Sequence, residues 1–232
     1  MLWRPMMQMK LSTPSQRLFE QFALDHPGWE EHSDKLLSTV SLLCEAYHKH
    51  ALLLTCGNGG SASDASHLVG ELVKSFTLPR SLSDTDKQSF IDHHGHAGAK
   101  LASSLAYGLR AVSLPVESVL LTAMGNDVSF DIAFAQQVYA LGQAGDILIA
   151  MSTSGNSANV IAALQAAKVK GMHTVGLTGQ SDCPMDELCD LIFHAPSTQT
   201  YRVQEYHLAL YHMICLLVES QLFATSTELA AT

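Results

Sequence analysis

Between Ser12 and His50 the apolar residues return at helical intervals. Leu18, Phe19, Phe22 and Leu24 come first; after a His26-Pro27-Gly28 break, Leu36, Leu37, Val40, Leu43 and Cys44 follow. Two N-terminal helices are predicted. The pattern then changes. Ala51 to Cys56 is a short, nearly continuous apolar run that meets glycines at Gly57, Gly59 and Gly60. Unbroken apolarity over so few residues predicts a strand buried on both faces, as in a parallel sheet. Helical spacing resumes from Ser61 to Phe76.

Alternation continues toward the C-terminus. Strands are predicted at Arg110 to Leu114, Asp146 to Met151, His173 to Thr178 and Leu191 to His194. Helices are predicted at Phe130 to Leu141, Ala158 to Lys170 and Thr200 to Leu222, with Gly142, Gly145 and Gly171 punctuating helix ends. Strand–helix alternation of this kind predicts an α/β fold with a parallel sheet covered by helices on both faces. Ligands of such sheets bind beyond the carboxyl ends of the strands. The stretch from Thr77 to Gly108 breaks the rhythm: it is polar, contains Asp92-His-His-Gly-His96, and reads as an insertion with partial helix.

Composition narrows the class. With 232 residues the chain suits one α/β domain, and 47% hydrophobic against 15% charged residues suits extensive burial, including burial between subunits. A net charge of −9 argues against nucleic acid as a partner, since no basic field would hold a phosphate backbone. The five cysteines form no C-x-x-C pair and read as buried thiols of a reducing compartment. The opening MLWRPMMQMK has no sustained apolar core, so it does not read as a signal peptide, and no apolar run reaches membrane-spanning length. A soluble cytoplasmic protein with no membrane partner is expected.

Two loops carry the candidate chemistry. The strand ending at Met151 runs straight into Ser152-Thr153-Ser154-Gly155-Asn156-Ser157 and a helix. Hydroxyls beside a helix N-terminus, where N–H groups are free and the helix dipole is positive, suit an anion. These donors are neutral and the G-x-x-x-x-G-K-[ST] pattern is absent, which fits a sugar monophosphate better than a nucleotide triphosphate. Taken alone the loop would be an ordinary turn with Ser157 as helix cap. A second loop, Gly57-Asn58-Gly59-Gly60-Ser61, also joins a strand to a helix, so both fall at one edge of the sheet. Beyond the second loop, His67 and Glu71 stand four residues apart on one helix face. Gln204 and His212 stand eight apart on the last helix.

The runs CGNGGSASDASHLVGEL, STSGNSANVI and RVQEYHLALYH resemble the phosphoheptose isomerase branch of the SIS (sugar isomerase) family, whose members act on sedoheptulose 7-phosphate. The resemblance covers roughly Leu52 to Phe76 and Leu120 to Glu219. It implies a three-layer, flavodoxin-like sandwich around a five-stranded parallel sheet, a homotetramer, and active sites between subunits. On that reading residues 1–50 are a helical segment of the same domain. Residues 51–222 are the sugar-phosphate-binding domain, with the insertion at 77–108.

The resemblance also implies roles. Asn58, Gly59, Gly60, Ser61, Ser152, Thr153, Ser154, Ser157, Asp127 and Gln204 contact substrate. Glu71 is the base and His212 its acid/base partner, and His67, Glu71, Gln204 and His212 hold a zinc ion. Eight residues of helix rise ~12 Å, so Gln204 and His212 would have to lean together to share one ion. Without the resemblance, His67 and Glu71 would be a surface pair and His212 a satisfied core histidine. The chain departs from the pattern at Tyr201, where the family carries an acidic residue before the arginine, and in the length of the 77–108 stretch. Two other readings stand beside an isomerase. One is a non-catalytic SIS module of the DnaA initiator-associating type. The other, a phosphosugar-responsive transcription regulator, is disfavoured because no helix-turn-helix or basic face precedes the domain.

Overall fold

The computed structural model describes residues 11–26 and 29–224; the opening ten residues and the Pro27-Gly28 break predicted above lie outside them. Two helices, α1 (Thr13–Asp25) and α2 (Ser33–Lys49), lead into β1 (Leu53–Gly57) and α3 (Gly60–Val73). Then come α4 (Asp84–Ala102), β2 (Ala111–Ser113), α5 (Ser118–Asp127) and α6 (Ala133–Leu141). The chain closes with β3 (Ile147–Met151), α7 (Ala158–Val169), β4 (His173–Thr178), β5 (Leu191–His194) and α8 (Thr200–Phe223). The strands form one parallel five-stranded sheet in the order β2-β1-β3-β4-β5.

Each face of the sheet is covered. Leu53, Ile147, Ile149, Met151, Val175 and Leu177 point into one core with α1, α2, α3 and α8. Their neighbours Leu54, Cys56, Leu148 and Ala150 point into the other, against α6 and α7. Burial on both faces explains why the strands read as continuous apolar runs rather than alternations. No described helix is long and apolar enough to cross a membrane.

The structure differs from the sequence reading at β2 and α5, and it gives the 77–108 stretch, read as partly helical, its detail. The β2 strand is shorter than predicted, because Pro115 sits in a 3-10 turn over Leu114–Val116. The helix α5 was not predicted: Val119, Leu120 and Leu121 are consecutive instead of spaced as a stripe, and none of its residues is buried. The 77–108 stretch is largely helical, α4 being two helical pieces joined at Gly95, whose φ of 57° suits glycine. Its base is closed by an antiparallel bridge between Ser81 and Ala106.

A buried ion pair anchors this stretch to α8. Arg80 is 2% exposed and Glu219 0%. Arg80 Nε donates to Glu219 Oε1 at 2.7 Å, and its Nη1 and Nη2 donate to the carbonyls of Leu72 and Glu71, the last turn of α3. Glu219 also accepts the N–H groups of Phe76, Thr77 and Leu78. Burial alone would raise the Glu219 pKa, but these donors hold it below the ordinary glutamate value.

A second buried polar group lies under the sheet edge. His207 is 1% exposed, and its Nε2–H donates to the Thr178 carbonyl at 3.2 Å. Burial presses its pKa from 6.5 down to about 4, against that backbone bond. The unfolded chain therefore binds the extra proton first. Stability should be full above pH 6.5 and fall as pH drops toward 4, by on the order of 3 kcal/mol from this group. Urea melts of wild type and His207→Gln across that window should show a shallower pH dependence for the variant.

Candidate active site

In this strand order the chain leaves β1 and β3 in opposite directions, so a crevice opens between their carboxyl ends. The two strands end level, Gly57 pairing with Met151, and both candidate loops spring from that point. The side-chain amides of Asn58 and Asn159 join them by two hydrogen bonds of 2.8 Å, and within the second loop the Ser152 and Ser157 hydroxyls bond at 3.0 Å.

Ser157 stands at the N-terminus of α7 yet makes no side-chain cap to that helix; its hydroxyl faces Ser152 instead. The first turns of α3 and α8 also lack side-chain caps, being preceded by Gly59 and Gln199. Three uncapped helix ends therefore face one cleft of about 280 Å³, which Asn58, Ser61, Ser152, Thr153, Thr200 and Gln204 line. Gly59, Gly60 and Ser157 also line it, and none of the lining residues carries a charge. Free helical N–H groups and hydroxyls in such a place bind an anion through dipoles and hydrogen bonds.

Two glycines of the loops lie close to neighbouring side chains. A Cβ at Gly60 would stand 2.3 Å from Gln204 Nε2, so the glutamine amide lies directly over the start of α3. At Gly155, φ is 64° and a Cβ would meet Cys183 Sγ at 2.2 Å.

From the cleft α3 and α8 run parallel and in contact, Gly60 beside Gln204 and, seven residues on, His67 beside Tyr211. Seven residues of helix carry the chain ~10 Å. At that level a second cluster forms. His67 Nε2 lies 3.2 Å from Glu71 Oε1, and Lys74 Nζ lies 2.8 Å from Glu71 Oε2. The Tyr211 hydroxyl lies 2.9 Å from His67 Nδ1, and the ring of His212 is 5.0 Å from that of His67 and 5.7 Å from that of Phe76.

Electrostatics sort the roles. Burial would raise the Glu71 pKa, but the Lys74 bond and charge, then His67, pull it below the ordinary value, so Glu71 is a carboxylate. Burial, then the nearby His67, lowers the His212 pKa, so His212 is neutral at pH 7. A charged carboxylate beside a neutral imidazole is a base next to a weak acid.

Most residues implicated by sequence fall in one cluster or the other. Asn58, Gly59, Gly60, Ser61, Ser152, Thr153, Ser157 and Gln204 line the cleft, while His67, Glu71 and His212 form the second group. Ser154 is exposed, its hydroxyl accepting the Asn156 N–H, and Asp127 is exposed at the end of α5, accepting from Asn126; neither lines the cleft of a single chain. Thr200, Asn159, Tyr211 and Asp64 went unnoticed in the sequence. Only Thr200 had a signal, its place at the start of a predicted helix.

For zinc, the donor types of His67, Glu71 and His212 fit, and His212 Nε2 is buried with no hydrogen-bond partner. As the side chains stand, no group of three or more His, Cys, Asp or Glu among the described residues is set to hold a metal ion. Both ring nitrogens of His67 are engaged, Nε2 with Glu71 and Nδ1 with Tyr211.

The SIS domain family matches residues 91–179. The phosphoheptose isomerase of Pelobacter propionicus is 40% identical over 207 residues, covering 89% of this chain and 93% of that protein. The chain belongs to the SIS-domain phosphoheptose isomerase family. The phosphoheptose isomerase of Burkholderia pseudomallei strain K96243 is also 40% identical, over 82% of this chain and 85% of its own length. Among solved structures, the phosphoheptose isomerase of Neisseria gonorrhoeae superposes with a TM-score of 0.66 at 31% identity, covering 89% of this chain and 94% of that one. That of Francisella tularensis, at 24% identity and a TM-score of 0.67, shares the fold over 89% of this chain and 93% of its own.

In this member of the phosphoheptose isomerase family, the neutral cleft should bind inorganic phosphate. Ser157→Ala should weaken that binding about tenfold, the worth of one hydrogen bond to a charged group. Gly60→Ala should weaken it by less, because the Gln204 amide that its Cβ meets ends a flexible side chain and can swing aside. Calorimetric titration with phosphate, beside thermal melts showing that Ser157→Ala stays folded, measures both.

Proposed function

We propose that the chain isomerises sedoheptulose 7-phosphate to an aldoheptose 7-phosphate through an enediol. The observation that carries this reading is a charge-free anion cleft built on the same helix pair as a carboxylate–imidazole cluster. The phosphate sits among the Ser152, Thr153 and Ser157 hydroxyls and the free N–H groups of α7. Glu71 removes a proton from C1 of the open-chain ketose, and His212 gives a proton to the C2 oxygen, producing the enediol. His212 then takes the proton of the C1 hydroxyl while Glu71 returns its proton to C2, leaving the aldose. Phe76 packs beside His212, their ring centroids 5.7 Å apart. No observation favours a non-catalytic module, because His67, Glu71 and His212 stand together.

The reading includes a homotetramer with sites completed between copies. Two features support it. The helix α5 buries none of its residues, and Val116, Val119, Val128 and Phe130 on and around it are 47–80% exposed, an apolar surface suited to a second copy. Along α8, Gln204 and His212 are ~12 Å apart, so a single ion would take its glutamine from another chain. A zinc ion held by His67, Glu71, His212 and that glutamine would polarise the sugar's carbonyl oxygen. The cytoplasm is the compartment that five free cysteines suit.

Purified protein should convert sedoheptulose 7-phosphate, and Glu71→Gln or His212→Ala should each lose at least ~100-fold in kcat. Binding of sugar phosphates without turnover across a broad panel would contradict the enzyme reading. Mixing Glu71→Gln with Gln204→Ala subunits should restore part of the activity that each lacks, since one class of mixed site pairs an intact Glu71 with an intact glutamine from the other chain. Size-exclusion chromatography of the same mixture reports the assembly.

A further inference from the structure

Tyr211 is 1% exposed and stands between two acceptors, His67 Nδ1 at 2.9 Å and Asp64 Oδ1 at 3.5 Å. A neutral phenol has one proton to donate, so it satisfies only one of them at a time. Asp64 is the one left short, its Oδ2 being buried without a partner. The two choices have different consequences for His67. When Tyr211 donates to Nδ1, the imidazole proton sits on Nε2 and is given to Glu71 Oε1 at 3.2 Å. In that form His67 offers no lone pair. When Tyr211 donates to Asp64, its oxygen accepts a hydrogen bond from Nδ1–H instead, and the free lone pair lies on Nε2, facing Glu71. One proton leaves Nε2 and one arrives at Nδ1, so the group neither gains nor loses charge.

We propose that Asp64 and Tyr211 set the tautomer of His67, and thereby decide whether His67 and Glu71 form a hydrogen-bonded pair or a pair of ligands for a divalent cation. Tyr211 is thus a positioning residue that acts through His67. The inference rests on the zinc reading given above. It gives the Tyr211 bond to His67 a task, since that bond takes up the Nδ1 lone pair. It also gives Asp64 a task, since a buried carboxylate oxygen without a partner is otherwise costly.

The test uses the full-length protein, zinc and its own histidine signals. Long-range nitrogen–proton spectra of the labelled protein should show His67 protonated on Nε2 without metal and on Nδ1 with zinc. Competition with a chromophoric chelator should show zinc affinity ten- to a hundredfold weaker in Tyr211→Phe, as for other residues that orient a metal-ligating histidine. Asp64→Ala, which leaves the aromatic packing intact, should weaken it in the same direction. Wild-type affinity in both variants, or a zinc-bound His67 still protonated on Nε2, overturns the proposal. Wild type that binds no zinc overturns it together with the zinc reading, while turnover in the same preparation shows separately whether the isomerase assignment stands.

Discussion

Anion binding without a cation is the constraint on which the proposed chemistry depends. A phosphate brought to a protein surface loses hydration, and in the proposed site only dipoles and hydroxyls would replace it. Such donors are weak singly, so they must be numerous and aimed at one point. The level ends of β1 and β3 meet that need, because Gly57 and Met151 pair and their following helices start side by side. The Asn58–Asn159 amide pair then fixes the separation of the two loops, and the Ser152–Ser157 bond fixes the curl of one of them. Capping side chains would have satisfied the same helix ends from within. Their absence at α3, α7 and α8 leaves those N–H groups for a ligand.

The proposed mechanism also needs acid and base at a fixed distance from that anchor. The parallel contact of α3 with α8 supplies it, with glycine at position 60 letting the helices meet at the cleft and Tyr211 meeting His67 farther along. Beyond the cluster, Arg80 binds the last carbonyls of α3 while Glu219 holds the turn that follows. That turn carries Phe76 onto His212. Removing one member of a buried pair leaves an uncompensated charge and typically costs about 3–5 kcal/mol. Stability and site geometry are therefore maintained by the same residues.

Much of this was legible in the sequence, for identifiable reasons. Strands buried on both faces gave unbroken apolar runs, and β3 and β4 were placed to within a residue of their ends. The loops declared themselves through glycines and hydroxyls at strand exits. What stayed hidden depends on three-dimensional contact. The Arg80–Glu219 pair joins residues far apart in the chain, and Arg80 looks like a surface charge until its burial is known. The helix α5 left no stripe because it packs little of itself against its own chain. Tyr211 reads as one more core aromatic, and only its position above His67 reveals a polar role.

A crystal structure with sedoheptulose 7-phosphate bound tests the central claim most directly. The phosphate is expected against the Ser152 and Ser157 hydroxyls at the first turn of α7, with the first two carbons of the sugar within reach of Glu71 and His212, whichever copies supply them. A phosphate bound elsewhere, or reacting carbons remote from every Glu71 and His212 of the assembly, would contradict it.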